Sequence, residues 1–217
     1  MKVLRRYLEQ LILSVAAGLC IGIGGTVFLM VENKNIGSFL FAVGLLTILV
    51  FKFNLFTGMV GYLTNQISLK DWKYFITLLV VFIGNFIGAS LTALLIKFTD
   101  LHQSIILKCN NMTELKLNET WYSLLILGLF CGIMMYIAVD TYKNQINNNN
   151  QCICCAIIII CVMVFILAGF EHSIADIFYF TLSGKLYKSL IPLCFITIGN
   201  SIGGNIFPVI QKIVNKK

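Results

Sequence analysis

Six long apolar runs, at residues 7–31, 37–63, 73–96, 121–139, 154–180 and 190–214, are separated by short polar breaks. Each is near or above the roughly 20 residues that a helix needs to cross a bilayer, so the pattern predicts six membrane spans. The first run follows Lys2, Arg5 and Arg6, as a secretory signal would, but it is too long, and five more runs come after it. Two runs are interrupted by polar residues where lipid tolerates none. The second contains "FNLFTGM", with Asn54, Thr57 and Gly58; the fifth contains "AGFEHSIADIF", with Gly169, Glu171, His172 and Asp176. Backbone groups freed by a break inside a membrane must be buried in protein or face a wet cavity, so these two places are expected to mark a pore.

The third and sixth runs share a second signature. "GNFIGA" carries Gly84, Asn85 and Gly88, and "GNSIGG" carries Gly199, Asn200 and Gly203. Glycines four apart lie on one helix face and let backbones approach closely, while the adjoining asparagine can hydrogen-bond across helices. Matching glycines in spans three and six, with matching interruptions in spans two and five, suggest two copies of one unit, about 1–100 and 115–217. An odd number of spans per copy turns the second upside down. The expected architecture is all-α, one transmembrane domain over 1–217, with an inverted 3+3 repeat and broken second and fifth helices.

Composition reinforces this reading. The chain of 217 residues is 59% hydrophobic and 12% charged, with a mean hydropathy of +0.90. Its net charge of +7 comes from basic residues scattered at span ends, which fits membrane topology rather than nucleic acid. An even number of spans puts both termini on one side. A cytoplasmic placement puts Lys2, Arg5, Arg6, Lys70, Lys73, Lys143, Lys212, Lys216 and Lys217 inside, a modest excess over Lys34, Lys97, Lys108, Lys116, Lys185 and Lys188 outside.

The cysteines of "CICC", at 152–155, gather no four thiolates and no histidine, so neither a metal site nor a disulfide framework is expected; acylation of these juxtamembrane thiols is the other reading. "NQINNNNQ" reads as a solvated connector, and the stretch between spans three and four as a soluble loop. Asn111 and Asn118 lie in N-x-T sequons, and His102 has no evident role.

"NLFTG", "GNFIGA", "AGFEHSIADIF" and "IGNSIGG" together resemble the formate/nitrite transporter family, in its order and over all six spans. "GIGGTVFL" and "CGIMMYIAV" are more similar to its clostridial hydrosulfide-type branch. The resemblance implies an aquaporin-like homopentamer in the plasma membrane, with one pore per protomer for small anions, their conjugate acids and protons, and no cofactor. It also implies residue roles. His172 falls on the pore histidine, Thr57 on the loop threonine and Lys116 on the vestibule lysine. Phe41 and Phe165 fall on the periplasmic-side constriction, and Leu45, Leu55 and Phe56 on the cytoplasmic-side one. Glu171 falls on a carboxylate expected to serve loop amides rather than the pore. Gly132 stands where several members have a substrate-holding asparagine, which tilts the expectation toward hydrosulfide or a bulkier monocarboxylate such as acetate or lactate. Asp176 replaces an asparagine, and Lys52 has no basic counterpart.

Each role has a plainer reading. Thr57 could only cap the following helix, Lys116 could be a loop cation beside Glu114 and Glu119, and the phenylalanines and leucines could be ordinary core. Lys52 could snorkel or pair with an acid. An intramembrane histidine is a functional candidate by default. A bare anion is costly at the bilayer centre, and apolar rings replace none of its water, so adding a proton is the expected route across. A neutral-solute conduit of aquaporin type would need paired Asn-Pro-Ala motifs, which are absent. An enzyme would need a nucleophile and base, yet only His172, Glu171 and Asp176 cluster.

Overall fold

A computed structural model describes residues 2–66, 72–145 and 150–215. Lys70, Lys216, Lys217 and residues 146–149 of the asparagine-rich connector lie outside the described residues. Every regular element among the described residues is helical: α1 (Lys2–Met30), α2 (Lys34–Val50), α3 (Phe56–Met59), α4 (Leu63–Gln66), α5 (Lys73–Ile96), α6 (Leu101–Asn118), α7 (Trp121–Gln145), α8 (Gln151–Ala168), α9 (Ser173–Leu182) and α10 (Leu190–Val214), with short 3-10 turns at Val60–Tyr62 and Leu186–Lys188. By length and composition, α1, α5, α7, α8 and α10 could each cross a membrane, and α2 and α9 are shorter apolar helices.

The packing runs in two parallel sets. α1 lies against α5 and α2, and α7 lies against α10 and α8. Small residues make the tightest seams. A Cβ on Gly88 would fall 2.1 Å from the Val15 carbonyl oxygen, and one on Gly203 would fall 1.9 Å from that of Leu129. Gly84 and Gly199 are closed in the same way, by Leu11 and Ser14 on α1 and by Leu125 on α7. The GNxIG motifs therefore bring α5 onto α1 and α10 onto α7 at backbone contact, as expected of small-residue helix seams.

Both expected breaks are present. α2 stops at Val50 and the chain resumes helix at Phe56; α8 stops at Ala168 and α9 starts at Ser173. Each first half ends in the same left-handed cap. Gly169 has φ +75°, with the Phe170 N–H returning to the Phe165 carbonyl at 2.8 Å; Lys52 has φ +56°, with the Phe53 N–H returning to Ile48 at 2.8 Å. Such caps satisfy carbonyls that the ended helix leaves open, and glycine is their usual occupant. Lys52 therefore sits in a position that glycine usually fills.

The stretch read as a soluble loop is the helix α6 with its short flanks. Its inner face is Ile105, Cys109 and Thr113, all fully buried, and its C-terminal end carries Lys116 inward.

Candidate pore and its two vestibules

Two asparagines hold the breaks open. On α5, Asn85 accepts the Phe56 N–H through Oδ1 (2.7 Å) and donates through Nδ2 to the carbonyls of Asn54 (2.8 Å) and Ser14 (2.7 Å). On α10, Asn200 accepts the Ser173 N–H (2.9 Å) and donates to the carbonyls of Glu171 (2.8 Å) and Gly128 (2.8 Å). Both side chains are fully buried, and each satisfies one amide and one carbonyl that a broken helix would otherwise orphan, while its third bond ties the break to a carbonyl of the neighbouring unbroken helix, α1 or α7. The backbones of the breaks are anchored alike, Asn54 N–H to Leu13 and Glu171 N–H to Leu127.

These scaffolds bring Thr57 and His172 together. Thr57 Oγ1 lies 2.8 Å from His172 Nε2, and the Ala175 N–H donates to His172 Nδ1 at 3.1 Å. A backbone N–H can only donate, so Nδ1 is the bare nitrogen and the neutral ring carries its proton on Nε2. That proton points to the Thr57 oxygen, which leaves the threonine O–H free to donate elsewhere. Thr57 therefore pairs with the histidine across the molecule rather than capping α3, whose N-cap is Leu55.

An aromatic stack adjoins the pair. Phe165 lies nearly parallel to His172 with ring centres 5.7 Å apart, and Phe41 meets Phe165 edge-on at 6.0 Å. On one side of this plug is a cavity of about 410 Å³ whose wall includes Phe41, Phe165, His172 and Lys116. On the other side is one of about 560 Å³ bounded by Leu45, Leu55, Gly58, Lys52 and Lys143. His172 lies in one wall, while Leu55 and Gly58, which flank Thr57 in sequence, lie in the other. Helix α6 contributes Lys108, Met112, Leu115 and Lys116 to the wall of the first cavity and no residue to that of the second. Phe56, expected at the apolar constriction, lines neither cavity; its ring meets Phe82 edge-on at 5.1 Å.

Lys116 is no loop cation. Its ammonium reaches down from α6 between Glu171 and Asp176, touching the first and lying 2.9 Å from the second, while Glu114 pairs with Lys185 instead. The Glu171 carboxylate thus engages Lys116, while the loop amides donate elsewhere, Phe170 to the Phe165 carbonyl, Glu171 to that of Leu127 and Ser173 to Asn200. Gly132 lines neither cavity. A Cβ there would lie 2.3 Å from the Asn200 carbonyl oxygen, so it is a packing glycine of the α7–α10 seam, and the substrate preference drawn from it has no footing. Two other lysines of the α6-side cavity hold helix ends: Lys108 donates to the Phe28 and Val31 carbonyls (2.8 Å each) and Lys34 to Leu167 (3.2 Å). Burial holds Lys108 below the usual lysine range, with Glu32 opposing.

An all-helical bundle with two breaks meeting at a buried polar pair, and a cavity on either side, defines a channel-like membrane protein. A sequence model described as the formate/nitrite transporter matches residues 1–213, and the chain belongs to that family. It is similar to a formate channel, FocA, of Haemophilus influenzae, at 24% identity over 76% of this chain and 62% of that protein. It is also similar to a formate channel, FocB, of Escherichia coli K12, at 26% over 82% and 67%. The chain thus spans somewhat under two thirds of the first relative's length. Among solved structures, a pentameric formate channel with formate bound superposes with a TM-score of 0.80 over 97% of this chain and 98% of that one, at 19% identity. An ion channel of the same family superposes at 0.76, at 20% identity over 97% and 90%. These relatives are channels, not enzymes.

Proposed function

We propose that this protein is a channel for small monovalent anions and their conjugate weak acids, in the size range of formate, nitrite and hydrosulfide. The observation that carries the reading is the Thr57–His172 pair, a polar contact set inside an apolar plug between two cavities. The formate channels to which the chain is similar support the substrate class.

In this reading the α6-side cavity is the outer vestibule, where Lys116 draws the anion in. Phe41 and Phe165 then offer no replacement for its water, and a charge would be costly among them. Taking up a proton removes most of that penalty. Because the Ala175 N–H occupies Nδ1, His172 cannot hold a second proton without losing its cap, which favours bulk water as the proton source. The free Thr57 O–H then donates to the passing substrate, and Leu45 and Leu55 complete the apolar stretch before the inner cavity.

The wider architecture follows the same reading: six spans as an inverted 3+3 repeat, aquaporin-like, in the plasma membrane with both termini cytoplasmic. The matched hydrogen bonds of Asn85 and Asn200 support the repeat. Apolar side chains exposed along α5 and α10, such as Leu79, Leu95, Ile191 and Ile202, suit lipid and neighbouring protomers of a homopentamer.

Flux into proteoliposomes of formate, nitrite, hydrosulfide, acetate, lactate and chloride, measured over a range of pH, tests this. Weak-acid flux should climb as pH falls while chloride stays outside. Chloride passing as fast as formate at every pH would overturn the protonation route.

A further inference from the structure

The ion cluster of the α6-side cavity does not balance. One ammonium, Lys116, faces two carboxylates, Glu171 and Asp176, whose side chains are 6% and 2% exposed. One carboxylate compensates the ammonium; the other is a surplus buried charge, and a buried unpaired carboxylate neutralises by taking a proton. Geometry points to where that proton sits. Asp176 Oδ2 is fully buried and without a hydrogen-bond partner, while the Glu171 and Asp176 carboxyls converge on the one Lys116 ammonium. Two ionised carboxylates supply no donor between them; one shared proton supplies it.

The surroundings offer no other remedy. Lys116 comes from α6, Glu171 and His172 from the α8–α9 break, Cys131 from α7 and Tyr179 from α9 itself. Among the described residues α1, α3, α5 and α10, which also pack on α9, present no charged group to the cluster.

We propose that Glu171 and Asp176 share a single exchangeable proton over Lys116, and that this proton sets the charge of the vestibule and thereby its acceptance of an anion. The cavity wall carries three lysines, Lys34, Lys108 and Lys116, and three carboxylates, Glu32, Glu171 and Asp176. With the shared proton the wall is net positive by one and accepts an anion. When that proton leaves to water on the α6 side, the wall is neutral and the trio itself negative. The cluster thus admits anions under acid conditions, before any proton reaches the substrate at the plug.

This inference rests on the channel reading for its consequence but not for its detection. Infrared titration of the full-length protein in lipid, against Asp176→Asn and Glu171→Gln, reads the proton directly. Wild type should show one buried carboxylic-acid carbonyl band at neutral pH that fades on the alkaline side. Both variants should lack it, because either leaves one carboxylate for one ammonium. Absence of the band in wild type, or its persistence in both variants, overturns the proposal; the wild-type titration decides even where a variant fails to fold. Formate uptake from the α6 side should fall on the order of ten-fold more across the same titration in wild type than in Asp176→Asn, which keeps only the dependence that comes from protonation of the substrate. A band without formate uptake would leave the shared proton standing and sink the channel reading instead. Uptake whose pH profile is unchanged in folded Asp176→Asn would overturn the charge-setting role.

Discussion

The two helix breaks share a scaffold and differ in chemistry. Each ends its first helix in a left-handed cap, hangs its backbone on one asparagine of a GNxIG motif, and restarts a helix four residues beyond the capping residue, Lys52 or Gly169. Yet the α2–α3 break contributes Leu55, Phe56 and Thr57, with one neutral hydroxyl, while the α8–α9 break contributes Glu171, His172 and, a turn later, Asp176. The cavities differ likewise: the α6 side mixes lysines with carboxylates, whereas Lys52 and Lys143 face the other with no carboxylate in its wall. The lesson is that one kind of frame solves the backbone problem at both breaks and leaves them free to carry unlike side chains. Here one break handles charge and the other supplies an apolar wall with a single hydroxyl.

The comparison breaks first at the scaffolds. Asn85→Leu and Asn200→Leu each strip the partner from one buried N–H and one carbonyl of a break, at roughly 1–3 kcal/mol per group, so both should lower thermal stability by a few kcal/mol in detergent, to a similar degree. A mild effect in only one half would mean that the breaks are not equivalent. Next comes the α7–α10 seam. Gly132→Asn should cost about 1–3 kcal/mol through overpacking against Asn200, with no gain of substrate preference in competitive flux assays.

Smaller effects sharpen the picture at the caps. Gly169→Ala should lose about 1 kcal/mol, and Lys52→Gly should gain about as much, since one imposes and the other relieves a left-handed non-glycine residue; paired unfolding curves check this. The smallest effect falls on α6. The hydrogen bond and charge of Lys185 hold the exposed Glu114 carboxyl below its usual range. The pair's contribution is therefore complete above the ordinary glutamate range and disappears as pH drops through the lowered value. Wild type and Glu114→Gln should differ slightly near neutrality and converge in acid, as thermal melts at several pH values would show.

Much of this was legible along the chain because its causes are local. The GNxIG motifs sit where helices must touch, and clustered polar residues with a glycine inside an apolar run point to a break; that Thr57 meets His172 is the work of the fold. α6 was less visible: its buried stripe of Ile105, Cys109 and Thr113 is thin, although the spacing of four is a helix signal. Lys116 is read as a vestibule residue from sequence, but its partners lie 55 and 60 positions away, and only the fold brings them together. At Lys52 and Gly132 side-chain chemistry, which suggests pairing or substrate contact, does not announce what the backbone demands: a left-handed turn at one and bare space at the other.

The proposed route takes substrate past the hydrogen-bonded Thr57–His172 pair, and formate flux through Thr57→Val, His172→Asn and the double variant in proteoliposomes probes that passage, asparagine being able to keep the cap on α9. Each single change should cut flux about ten-fold and the double change no further, because both remove one shared contact. Flux at the wild-type level in either folded variant, or losses that multiply in the double, would contradict it.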